Sequence, residues 1–302
     1  MKSVIQLNQR HELSCRSFFT MKVLNTIQDI RQEVASFRQE GKKVGFVPTM
    51  GALHKGHLSL IDLAKQHADE VVVSIYVNPE QFAPDEDYEE YPRQLEYDLD
   101  ECEKAGVSAV FTPSDDIMYG DEKFLRIEID ELNRYMDGGS RPGFFEGIVL
   151  VVNKFFNIIE PDIAVFGQKD IQQFRILRQM ANEFNHDVNL IMGPIIRAND
   201  GLALSSRNAY LSDQHRKIAP GLYRSLQFVK RQIEDGAKNL ELVLNHQKAE
   251  LEAKGFEIDY LNLFSFNRMA PVNDIEPDTK YVLAGAVYLG ETRLIDNIII
   301  EL

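Results

Sequence analysis

Residues 44 to 77 constrain the fold more than any other stretch of the chain. An apolar run at 44–47 leads into the loop PTMGALHKGH at 48–57, Leu58, Ile61, Leu63 and Ala64 then recur at helical spacing, and a second apolar, β-branched run fills 71–77. This is a strand, a crossover helix and a parallel strand. Such a unit sets its first loop at the carboxyl edge of the sheet, where open α/β folds bind ligands, and the helix behind the loop offers free N–H groups to an anion. The loop is therefore suited to phosphate. Gly51 and Gly56 have Walker-type spacing, but His57 and Leu58 stand where Lys and Ser/Thr belong, and no G-x-G-x-x-G is present. A different nucleotide chemistry is required.

His54 and His57 lie three apart, so both rings can face one point above the helix start, and Gly56 permits close backbone approach. Two imidazoles aimed at a phosphate can stabilise charge on a bridging oxygen while a nucleophile displaces pyrophosphate. The same spacing also fits a pair of surface histidines or half of a metal site.

The bulk composition narrows the partners. At 302 residues there is room for two domains, and 33 basic against 47 acidic side chains give a formal charge of −14. That balance argues against general binding to nucleic acid or to an anionic membrane. An enzyme handling ATP must then concentrate its cations locally. Cys15 and Cys102 are too few and too scattered for a disulfide framework or a zinc site, which fits a reducing cytoplasm, and no run approaches the ~20 apolar residues of a membrane span. Residues 1–20 lack the sustained apolar core of a signal peptide and read as a peripheral extension.

Three later loops share the logic of the first. Asn78-Pro79-Glu80-Gln81-Phe82 follows the second strand and brings two neutral amides, suited to a hydroxyl or a carboxylate, although the segment also reads as an ordinary turn. A further strand at 162–166 ends in Gly167-Gln168-Lys169-Asp170, with Gln173 one turn on. Lys169 is a point charge able to sit on phosphate, Asp170 can cap the helix or hold a ribose hydroxyl, and Gln173 can reach an acyl substrate. A strand at 189–196 leads through an Asp-Gly turn to Leu204-Ser205-Ser206-Arg207-Asn208, two hydroxyls and a guanidinium fork suited to departing phosphates; the plain alternative is a helix cap.

The remaining spacing predicts helices at 27–41 (capped by Thr26), 93–105 and 146–159, and a strand at 109–111. The acidic run 85–100 reads mostly as a solvated face, and residues 114–147 as a long connection ending in a Gly-rich stretch around Arg141. From Ser212 the pattern changes to helices at 213–219, 220–235 and 239–254 and alternating strands at 256–264, 280–288 and 292–300, a small α+β domain with antiparallel strands.

The motif H-x-G-H on the first loop of a parallel sheet resembles the signature of the HIGH-type nucleotidyltransferase superfamily. The string PTMGALHKGH, followed in order by VNPEQF, FGQKD and GLALSSRN, closely resembles the pantothenate synthetases, or pantoate–β-alanine ligases, over about residues 21–302. The resemblance implies a Rossmann-like ATP- and pantoate-binding domain at 21–195, a hinge near Ile196, and a C-terminal lid domain at 196–302. It implies a homodimeric cytoplasmic ligase that uses MgATP, pantoate and β-alanine and needs no tightly bound organic cofactor. ATP would contact Met50, Gly51, Ala52, Leu53, His54, Lys55, Gly56 and His57, then Gly167, Gln168, Lys169 and Asp170, then Ile196, Leu204, Ser205, Ser206 and Arg207. Catalytic roles fall to His54, His57, Lys169, Ser205, Ser206 and Arg207, and the SSR loop corresponds to the mobile KMSKS loop of class I synthetases. Gln81 and Gln173, with Asn78 and Arg141, would take pantoate and β-alanine, and Asp98 would meet the ATP-bound metal.

The chain departs from its relatives in several places. Phe144 stands where they usually carry His, Tyr97 where they carry a second acid, Gln168 where they carry Glu and Leu204 where many carry Met. Two other functions share parts of the pattern. An adenylyltransferase acting on a phosphate acceptor would want a basic pocket in place of the neutral pair Gln81 and Gln173, and a nucleotide-sensing module would not need His54, His57, Lys169 and Arg207 together. Size and acidic balance disfavour a tRNA synthetase.

Overall fold

The computed structural model describes residues 21–302 apart from positions 85 and 123; the extension expected at residues 1–20 lies outside the described residues. In chain order the elements begin with β1 (Lys22–Leu24), α1 (Ile27–Gln39), β2 (Val44–Thr49), α2 (Lys55–Lys65), β3 (Glu70–Ile75), α3 (Leu95–Lys104), β4 (Ala109–Phe111), α4 (Asp115–Tyr119) and α5 (Met136–Ser140). They continue with α6 (Phe144–Ile159), β5 (Ile163–Gly167), α7 (Ile171–Glu183), β6 (Asn189–Gly193), α8 (Asp213–Ile218), α9 (Gly221–Glu234), α10 (Leu240–Glu252), β7 (Glu257–Ser265), β8 (Lys280–Leu289) and β9 (Thr292–Glu301).

Strands β1 to β6 form one parallel sheet in the order β1-β4-β3-β2-β5-β6. Alternation along β2 explains why both faces are covered. Val44 and Phe46 point into a core built with Ile30, Val34 and Phe37 of α1 and the apolar faces of α6 and α7, whereas Val47 points into a second core with Ile61 and Ala64 of α2 and Cys102 of α3. Strand order reverses between β2 and β5. The carboxyl edge at that reversal is the crevice where open α/β sheets bind ligands, and the loops after β2 and β5 flank it.

Strands β7, β8 and β9 form a separate antiparallel sheet, packed with α9 and α10 around Leu222, Leu226, Leu251, Leu261 and Leu283. The two units meet through a further cluster in which Met136 and Ile171 touch Phe264, Phe266 and Val282. A parallel sheet followed by a small antiparallel α+β unit is the architecture the periodicity predicts. The short edge strand β1, paired with β4 over three residues, is additional to it. Its residues Lys22, Val23 and Leu24 are too few to show alternation. The expected long connection at 114–147 contains the short helices α4 and α5 and a single 3-10 turn at Glu131–Asn133.

Candidate active site

The loop after β2 is held from behind. Gly51 and Ala52 adopt left-handed backbone conformations, with φ of 82° and 51°. The carboxylate of Asp98, on α3, accepts the backbone N–H of Ala52 at 2.9 Å and of Leu53 at 2.7 Å. A Cβ at Gly51 would lie 2.8 Å from Asp98 Oδ2, so the glycine is required sterically as well as conformationally. Asp98 is 1% exposed, and burial pushes its carboxyl above the usual value while the two backbone N–H bonds oppose that shift. Asp98, expected to meet the ATP-bound metal, braces the loop and lines neither cavity of the site. Among the described residues no group of three or more His, Cys, Asp or Glu side chains is placed to hold a metal ion.

The brace delivers His54 to the N-cap of α2. Its Nδ1 accepts the Gly56 N–H at 3.0 Å, and its own backbone N–H is directed at His57 Nδ1 at 3.4 Å, a reciprocal cap built from two imidazoles. The rings stack with centroids 4.1 Å apart. A Cβ on Gly56 would fall 2.7 Å from His54 Cε1, which is why glycine stands there. Burial, reinforced by Lys169, lowers His54 to about 4, and burial with His54 and Lys169 beside it lowers His57 to about 3. Both rings are therefore neutral near pH 7. Because each Nδ1 accepts, each proton resides on Nε2, and each ring is a neutral donor.

Asn78, expected to touch substrate, is 1% exposed and satisfied by the protein. Its Oδ1 accepts the Glu80 N–H at 3.3 Å and the Tyr119 hydroxyl at 2.6 Å, while Nδ2 donates to Gly147 O and to Gln81 Oε1, both at 3.1 Å. A backbone N–H on one side and a backbone carbonyl on the other permit a single orientation of this amide. Gln81 is oriented in turn, with its Nε2 beside Met50 Sδ at 2.9 Å. Gly147 was not foreseen in this role. A Cβ there would meet Glu80 O at 1.9 Å, so α6 can approach the turn at 79–81 only through glycine.

On the opposite flank, Lys169 follows β5 with its Nζ 3.4 Å from Asp170 Oδ1. The hairpin at 197–203 turns at Gly201, with φ of 97°, and is closed by the Leu204 N–H donating to Ile196 O at 2.9 Å. This sets the SSR loop over the crevice. Ser205 caps the short 3-10 turn Ser206–Tyr210, the Ser206 hydroxyl lies 3.1 Å from the buried Tyr91 hydroxyl, and Arg207 grips Asp87 with both arms at 3.0 and 2.7 Å. Arg141 grips Glu86 in the same bidentate way at 2.6 Å and stacks on Phe144, its guanidinium carbon 3.4 Å from the ring centroid. Glu86 and Asp87, read from sequence as part of a solvated face, are thus the partners of two cations of the site.

A chamber of about 220 Å³ gathers Met50, His54, Gly56, His57, Asn78, Gln81, Gly167, Lys169, Asp170, Gln173, Ile196, Leu204, Ser205, Ser206, Arg207 and Arg141. Lys169, Gln173, Arg141 and Arg207 also border a larger cleft of about 1290 Å³ between the two units. Five expected ATP contacts lie outside both spaces. Gly51, Ala52 and Leu53 are buried behind the loop, and Lys55 is exposed on the first turn of α2. Gln168 faces away from the chamber, donating to Asn297 Oδ1 at 3.1 Å.

The family described as pantoate–β-alanine ligase matches residues 22–299. A pantothenate synthetase of Thermosipho africanus is 48% identical over 280 residues, covering 93% of this chain and 100% of that protein. The crystal structure of pantothenate synthetase from Thermus thermophilus superposes with a TM-score of 0.85 at 38% identity, covering 92% of this chain and 99% of that one. A pantoate–β-alanine ligase from Francisella tularensis, complexed with β,γ ATP and β-alanine, gives 0.77 at 35% identity over 92% of this chain and 97% of that one. With this coverage, and with the four loop motifs converging on one chamber, the chain belongs to the pantoate–β-alanine ligase family and is a ligase.

Proposed function

We propose that the chain adenylates pantoate with MgATP and passes the pantoyl group to β-alanine. A pantoate carboxylate oxygen attacks the α-phosphorus, the bond to the bridging oxygen breaks, and pyrophosphate leaves. The β-alanine amine then attacks the pantoyl carbonyl, the bond to the phosphate oxygen breaks, AMP departs, and the nitrogen loses its proton. The residues act by positioning and by charge stabilisation, without a covalent enzyme intermediate.

The observation that carries this reading is the convergence on one chamber of two neutral imidazoles, one lysine, the SSR loop and the amides Gln81 and Gln173. In this reading His54 and His57 donate Nε2–H to the α-phosphate oxygens, Lys169 neutralises the phosphate tail, and Ser205, Ser206 and Arg207 follow the departing pyrophosphate. Arg207 is held by Asp87, so phosphate binding exchanges one anionic partner for another. Gln81 offers its NH₂ to pantoate because its carbonyl oxygen is occupied by Asn78. Mg²⁺ enters on the phosphates as part of the substrate. The Francisella enzyme in complex with β,γ ATP and β-alanine supports the choice of substrates.

We take residues 196–302 as a second domain that closes over ATP held by residues 21–195. The cytoplasmic location rests on the sparse cysteines; Cys102 is free and buried, and among the described residues no helix is long and apolar enough to cross a membrane. The homodimer rests on the resemblance and on the adjacent Phe124 and Leu125, 85% and 86% exposed, an apolar pair that a second copy would cover. Sedimentation velocity checks this by resolving twice the 34.6 kDa chain mass.

The decisive test is exchange of labelled pyrophosphate into ATP. Exchange should require pantoate and should not require β-alanine. Exchange that ignores pantoate would contradict the proposal.

A further inference from the structure

The loop that carries Lys169 is not fixed by its own ends. Neither the 3-10 turn Gln168–Asp170 nor the start of α7 has a side-chain cap, although such termini leave backbone groups in need of partners. The loop is held instead through its carbonyls, from the other sheet. Asn297, on β9 and 2% exposed, donates through Nδ2 to Gln168 O at 2.9 Å and to Lys169 O at 3.0 Å, and its Oδ1 accepts from Gln168 Nε2 at 3.1 Å. Two carbonyls on one side and an amide donor on the other allow this side chain a single orientation.

Asn297 is itself anchored. Its backbone N–H donates to Asp296 Oδ1 at 2.7 Å, and Asp296, 4% exposed, is gripped by Arg197 at 2.5 and 2.8 Å in the segment that joins the two sheets. Asn297 lines neither the chamber nor the cleft, while Lys169 lines both. It therefore cannot act on substrate directly, yet it holds the peptide from which the lysine reaches.

From these contacts we infer that Asn297 is a positioning residue for Lys169, through which the C-terminal sheet sets where the ammonium meets the phosphates. The inference rests on the phosphate role proposed for Lys169. Gln168 is part of the device: a carboxylate at that position could not donate to Asn297 Oδ1, and the amide cannot turn over without abandoning both carbonyls.

The test is pantoate-dependent pyrophosphate exchange in the wild type, Asn297→Ala, Lys169→Ala and the double variant. Displacing a reacting-site group by about 1 Å can lower a rate about 100-fold, so Asn297→Ala should lower exchange roughly 10- to 100-fold while KM for pantoate moves less than about threefold. The double variant should then fall within about twofold of Lys169→Ala, because the asparagine acts only through the lysine. A double variant slowed by the product of the two single effects would overturn the inference, and so would a wild-type rate in Asn297→Ala. A near-normal rate in Lys169→Ala would instead remove the phosphate role beneath it. If the melting curve shows that Asn297→Ala does not fold, Asn297→Asp keeps the volume, cannot donate to the two carbonyls, and serves in the same cycle with the same expectations.

Discussion

At His57 burial and the neighbouring charges of His54 and Lys169 act in the same direction. Both favour the neutral ring, with native values near 3 for His57 and near 4 for His54 against 6.5 for an unperturbed histidine. The unfolded chain therefore binds more protons than the native one between 6.5 and those values, and the stability these rings contribute is complete above pH 6.5 and declines as pH falls below it. NMR titration should show neither ring taking up a proton between pH 8 and 5; a midpoint near 6.5 for either would contradict the neutral-donor role. His57→Ala should lower turnover by roughly 100-fold or more if the ring stabilises the transition state, with near-normal turnover removing it from the chemistry. Asp98 yields a prediction of a different kind. Asp98→Asn sets an NH₂ group against the N–H of Ala52 or Leu53, so activity and melting temperature should both fall. Raising Mg²⁺ should restore neither, whereas recovery at high Mg²⁺ would return Asp98 to the metal.

Among the elements, the strands and helices of the parallel sheet were legible because their apolar periodicities are long. Residues 44–47 and 71–77 had to be buried on both faces, and α2 between them had to cross over. The four loops were legible as candidate site loops because strand ends in such sheets point at one edge. What could not be read was which polar side chains serve the loop and which serve the ligand. Asp98 and Asn78 read as ligand-binding groups, and the fold brings both against backbone groups, of Ala52 and Leu53 for the one and of Gly147 for the other, contacts that span 46, 45 and 69 residues of sequence. The same holds for Glu86 and Asp87, whose partners Arg141 and Arg207 lie 55 and 120 residues away. Gly147 carries the prediction at this scale. Gly147→Val forces a branched side chain onto Glu80 O and should cost about 1–3 kcal/mol in denaturant unfolding. It should also raise KM for pantoate through the displaced Asn78–Gln81 pair, and an unchanged KM would separate that turn from substrate recognition.

Over the whole molecule, an acidic chain gathers a few cations where two sheets meet. Lys169 comes from the parallel sheet, Arg207 from the connection to the antiparallel one, and Arg141 from the Gly-rich stretch before α6. The C-terminal sheet contributes more than a cover. Arg293 on β9 pairs with Asp137 of α5 and Asp259 of β7, each at 2.6 Å, and Asn297 on the same strand holds the lysine loop. The parallel and the antiparallel sheet thus both contribute side chains to the cleft. The proposed acyl adenylate is open to direct detection, by mass spectrometry of the enzyme with MgATP and pantoate, β-alanine withheld. Pantoyl adenylate should accumulate on the enzyme and be consumed when β-alanine is added; hydrolysis of ATP with no pantoyl adenylate at any time, while pantothenate still forms on adding β-alanine, would rule out this route.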